Sequence, residues 1–116
     1  MKLDRFAEAK IVLCTCPEEA SDEIAKTLVE EKLAACVNVI PNIKSVYRWQ
    51  GKVEQATESQ LIIKTTNRAY PLLQKKLKEV HPYKVPEILA LSVTEGLPDY
   101  LAWIINQTSS VDESES

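Results

Sequence analysis

The sequence predicts an α+β protein built in the order β-α-β-β-α-β with a further C-terminal helix, and three observations predict it. Two adjacent stretches on either side of Gln50-Gly51 have the length and alternation of paired strands. Two other segments, near residues 17–30 and 67–80, repeat their apolar residues at helical spacing. Pro82 and Pro86 then hold the chain extended before a last apolar run, because each proline pushes the residue before it out of helical geometry.

Taken in order, Ala9 to Thr15 contains the run Ile11-Val12-Leu13-Cys14, which suits a short strand buried on both faces. Pro17 suits the first turn of a helix, and Glu18, Glu19, Asp22 and Glu23 gather near the positive end of its dipole. Ala20, Ile24, Leu28 and Val29 form its apolar stripe. From Cys36 to Trp49 the odd positions carry Val37, Val39, Pro41, Ile43, Tyr47 and Trp49, a period of two that predicts a strand with one buried face. Pro41 has no N–H to donate, so a bulge or an unpaired edge is expected there. Lys52 to Thr66 returns as the second strand. Asn67 is placed to cap a second helix whose stripe is Leu72, Leu73, Leu77 and Val80, with Pro71 poorly placed for an early start. Ile88 to Val93 reads as the last strand and Pro98 opens the last helix. This order is that of a ferredoxin-like split βαβ sandwich, an antiparallel sheet with helices on one face.

A chain of 116 residues accommodates one core, and we assign residues 1–108 to a single domain. Residues 109–116 hold three acids and no base, and read as a disordered acidic tail. Without that tail the formal charge of −3 becomes zero, so no basic face draws in nucleic acid. No stretch approaches the ~20 apolar residues of a membrane helix. Charges interrupt Met1 to Phe6 where a secretion signal has an apolar run, so the cytoplasm is the expected compartment. The three cysteines, Cys14, Cys16 and Cys36, are then expected as free thiols.

The hairpin is too long for its own globule. Arms of ~14 residues at ~3.3 Å each reach ~45 Å, whereas a compact chain of this size is only ~35 Å across. The tip, with Val46, Tyr47 and Trp49, must overhang, and a lone ribbon is marginal in water. We expect it to dock on a neighbouring subunit; a long loop with two short strands is the alternative.

Over positions 9 to 106 the chain resembles the CutA family of divalent-cation tolerance proteins. The resemblance is carried by Leu13-Cys14-Thr15, Glu31-Lys32-Leu33-Ala34-Ala35-Cys36, Ser45-Val46-Tyr47 with Trp49-Gln50-Gly51-Lys52, Ile63-Lys64-Thr65, the run His81 to Glu87, and Asp99-Tyr100-Leu101-Ala102-Trp103. It implies a ferredoxin-like homotrimer with ribbons paired between subunits. It also implies a part in the response to metal ions, copper above all, and copper binding in some members. By the same resemblance the metal ligands are Cys14 and His81, types whose thiolate and imidazole suit copper. Val80 stands where some copper-binding relatives have a second histidine, so a third ligand is missing. Cys14 as a small core residue and His81 as a hydrogen-bonded interface residue are the competing readings.

Cys16, beside a helix N-terminus, is expected to have a lowered pKa, and either to share a face with Cys14 or to be turned away by the kink before Pro17. Cys36 is expected in the core. Lys64, Tyr83, Lys84, Glu87 and Trp49 are expected to line a cleft between subunits for a small anionic ligand, or else to be interface packing and solvated ion pairs. Glu87 stands out among them, since a carboxylate before an apolar strand needs a partner if buried. No nucleophile with histidine, paired acid and base or phosphate loop is present, and neither Gly51 nor Gly96 sits in a strand-to-helix loop, so an enzyme is not expected. The strand interiors lack the stacking aromatics of an RNA-recognition domain. The alternative to a metal-binding protein is a trimer that binds a small effector or a protein partner, with indirect metal effects.

Overall fold

The computed structural model describes residues 8–108; the expected acidic tail at 109–116 and the first seven residues lie outside the described residues. The elements are β1 (Ala9–Cys16), α1 (Glu18–Glu30), β2 (Cys36–Trp49), β3 (Lys52–Thr66), α2 (Tyr70–Val80), β4 (Leu89–Ser92) and α3 (Pro98–Gln107). The sheet order is β2-β3-β1-β4, antiparallel throughout. β3 therefore lies between β1 and β2, the split βαβ arrangement expected from the sequence.

Register assigns the two sheet faces. Val12 pairs with Ile63, Cys14 with Leu61 and Cys16 with Ser59. The apolar members of this face are fully buried and form one core with Ile24 and Leu28 of α1 and Leu73 and Leu77 of α2. The opposite face carries Ile11, Leu13, Ile62, Leu89 and Leu91 in register. Burial in β1 thus alternates, with Ile11 and Leu13 only half-buried, where two buried faces were expected. Leu91 is 51% exposed on β4, a strand whose four residues are all open to solvent. Leu101 and Ile104 of α3 are buried outside the main core, with α3 lying against β1 and β3.

Local chemistry explains the element ends. Pro17 occupies the position just before α1 rather than its first turn. The helix closes on Lys32 at φ 61°, where Leu33 N–H donates to the Leu28 carbonyl and Lys32 N–H to that of Val29, a Schellman closure without glycine. Val29, expected in the apolar stripe, is exposed. Helix α2 starts at Tyr70, later than expected, and this puts Pro71 in its first turn where a missing N–H does no harm. Thr66 reaches its start: Thr66 Oγ1 accepts from Ala69 N–H at 3.1 Å. Leu72 and Val80 are exposed, so the buried stripe of α2 is narrower than its sequence implies.

The ribbon is the dominant shape feature. β2 and β3 run for 14 and 15 residues and turn at Gln50 and Gly51, whose φ values of 51° and 81° are those of a two-residue hairpin turn matched to strand twist. The register shifts between Ile40 and Ile43, so Pro41 and Asn42 form the expected bulge, with Asn42 at φ 64°. The longest axis is 49 Å and the radius of gyration 15.1 Å, above the ~13 Å of a compact chain this size. Both arms are strand along their whole length, which removes the long-loop alternative.

Candidate functional site

The end of β1 meets the start of the segment after α2. His81 follows directly on that helix and its N–H donates to Leu77 O at 2.9 Å. Its ring is held at both nitrogens. Tyr83 N–H donates to Nδ1 at 3.1 Å, so Nε2 carries the proton and donates to Thr15 O at 2.7 Å. The Tyr83 ring packs on the imidazole with centroids 4.9 Å apart. Cys14 Sγ makes a weak contact with the same Thr15 carbonyl at 3.7 Å. The two expected ligands therefore converge on one oxygen, Cys14 fully buried and His81 6% exposed. Cys14 also fills its competing role as a small core residue, and His81 is hydrogen-bonded at both ring nitrogens.

β1 continues through Cys16, so Cys14 and Cys16 share the core-facing side of the strand and no kink turns them apart. Burial pushes the Cys14 thiol up to about 12, with Cys16, Glu87 and Glu58 adding to it. Burial pushes Cys16 up to about 11, aided by Glu58 and Glu19. This corrects the lowered value expected from the neighbouring helix: desolvation and nearby carboxylates outweigh its dipole. Both thiols are protonated at neutral pH. Cys36 is half-buried rather than in the core, and Lys64 Nζ reaches its sulfur at 3.8 Å as well as the Asn38 side chain. Among the described residues no three His, Cys, Asp or Glu side chains come together to hold a metal ion.

A second feature lies beside the outer half of the ribbon. A cleft of about 570 Å³ is lined by Ser45, Val46, Tyr47, Trp49, Glu58, Tyr83, Lys84, Val85 and Glu87. Four of the five residues expected there, Trp49, Tyr83, Lys84 and Glu87, are brought together. Lys64 is not, since it sits six residues further along β3 and bonds across to β2. Glu58 is the residue that sequence reasoning missed. It is 5% exposed, and Tyr83 Oη donates to its Oε2 at 2.7 Å. Burial, and next this bond to a carboxylate, hold the Tyr83 phenol above its usual range. The available signal was Pro41: the bulge beside it leaves both Glu58 and Ser59 buried, which unbroken alternation forbids.

An antiparallel split βαβ sheet with an overlong ribbon defines a ferredoxin-like α+β fold class. Residues 10–107 match the family model of the CutA1 divalent ion tolerance protein, and the chain belongs to that family. It is 51% identical over 100 residues to the divalent-cation tolerance protein CutA of Thermus thermophilus, covering 85% of this chain and 97% of that protein. The solved structure of the divalent cation tolerance protein from Thermus thermophilus matches with TM-score 0.85 at 50% identity, over 87% of this chain and 99% of the other. The CutA structure from Archaeoglobus fulgidus, described as a periplasmic divalent cation tolerance protein, matches with TM-score 0.83 at 39% identity, over 87% and 99%. Among the described residues no helix is long and apolar enough to cross a membrane.

Proposed function

We propose that this chain serves tolerance of divalent cations as a cytoplasmic homotrimer that binds copper as cargo and catalyses no reaction. The supporting observation is the convergence of Cys14 and His81 on the Thr15 carbonyl. Thiol and imidazole are donors suited to copper in kind. Two side chains do not close a coordination sphere, so a further donor must come from outside the described residues or from a sister chain.

The Cys14 thiol holds a proton that ligation would release, whereas His81 would keep its one proton by moving it from Nε2 to Nδ1. Loss of the thiol proton makes binding favoured by rising pH. Copper titrated calorimetrically into the full chain is expected to bind more tightly at pH 8 than at pH 6. Cys14→Ser is expected to lose the uptake, as is His81→Gln, whose amide can still donate to the Thr15 carbonyl. Uptake unchanged in both variants would falsify the assignment.

A further inference from the structure

We infer that Tyr83 and Glu58 form a latch that holds His81 in the form unable to take a metal at Nε2, so that uptake there requires Tyr83 to part from Glu58. The inference rests on the copper reading above and concerns how that site is regulated. A neutral imidazole has one protonated nitrogen and one with a free lone pair, and only the second ligates a metal. In His81 the lone pair is on Nδ1 and is occupied by Tyr83 N–H at 3.1 Å, while Nε2 donates its proton to Thr15 O at 2.7 Å. Cys14 Sγ contacts the same carbonyl, so Nε2 is the nitrogen on the thiol's side. Freeing its lone pair means moving the proton to Nδ1, where it faces the Tyr83 N–H across 3.1 Å. Two donors repel one another across that gap. The Tyr83 amide must turn away.

Tyr83 is fixed at three points. Its N–H holds His81 Nδ1, its ring packs on the imidazole with centroids 4.9 Å apart, and its hydroxyl donates to Glu58 Oε2 at 2.7 Å. Pro82 lies between the two residues, and its ring locks one of the backbone angles through which the amide could swing alone. Turning the amide therefore carries the tyrosine ring and its hydroxyl with it. Glu58 is 5% exposed, so parting breaks a charge-assisted bond away from solvent, a bond of the stronger kind. Cover from a sister chain would only deepen that burial. The latch thus lowers the affinity of the Cys14–His81 site. By reciprocity, an occupied site favours the released form of Tyr83. Tyr83 and Glu58 are positioning residues here, acting on uptake through the imidazole.

The test is anaerobic calorimetry of the full chain with copper(I), joined to nitrogen-15 NMR of the His81 ring. The metal-free chain is expected to carry the ring proton on Nε2, and the copper(I)-loaded chain on Nδ1. Tyr83→Phe keeps a ring on the imidazole but has no hydroxyl for Glu58, and is expected to bind copper(I) about tenfold more tightly. Glu58→Gln keeps an acceptor without the charge, and its affinity is expected to fall between those of the wild type and Tyr83→Phe. Uptake that needs His81 but is no tighter in either variant overturns the latch and leaves the copper reading standing. A ring proton that stays on Nε2 in the loaded chain does the same. Uptake unaffected by His81→Gln, or no uptake at all, overturns both.

Discussion

Leu61→Ala is expected to lower the stability to urea by about 2–5 kcal/mol, the range for truncating a fully buried leucine. Leu61 lies on β3, has no exposure, and pairs in register with Cys14 on one side and Val39 on the other. Leu28, Leu73 and Leu77 belong to the same core cluster, so the void opens where both helices meet the sheet. The urea midpoint should fall while the dependence on urea concentration stays unchanged, because the surface exposed on unfolding is almost the same. Lys26→Ala, at an exposed position of α1, is the control and should change stability by less than ~0.5 kcal/mol. Comparable losses in the two variants would contradict the placement of the core.

Alkaline pH should destabilise the fold through Cys14 and Cys16. In the unfolded chain a thiol ionises near its ordinary value of 9.0, whereas burial holds these two up to about 12 and about 11. A raised folded-state pKa means that the native state keeps a proton the unfolded state has released. The stability this confers is complete below pH 9 and is lost as pH rises through about 11 for Cys16 and about 12 for Cys14. Within that window each thiol can account for up to ~1.4 kcal/mol per pH unit. Urea unfolding at pH 8, 9.5 and 10.5 should show a falling stability, and the Cys14→Ala/Cys16→Ala double variant a flatter profile. Parallel profiles would show that other groups carry the alkaline loss.

The elements of the sheet were legible in the sequence because strand and helix periodicities are local. Pro41 announced its bulge because a missing N–H cannot be hidden inside a ladder. Helix stripes were less legible. Val29, Leu72 and Val80 match the spacing of their buried neighbours yet face outward in the isolated chain. Spacing shows which residues share a side of a helix, whereas the width of the buried strip depends on what packs there. The cleft was legible from aromatic and charged residues near strand ends, but its decisive carboxylate, Glu58, was not. Its burial follows from a register shift on the partner strand, a fact about pairing that no local pattern in β3 contains. The thiol of Cys16 shows the same limit: proximity to a helix is read from sequence, whereas desolvation is set by the assembled core.

The exposed ribbon and the open face bearing Leu89 and Leu91 call for cover. Light scattering on the full chain at micromolar concentration tests that directly. Three sister chains shielding one another's ribbons predict a mass three times the 13.1 kDa of the chain, held on dilution. A stable species of 13.1 kDa would contradict it, since the apolar face and the overhanging arms would then stand in water without cover.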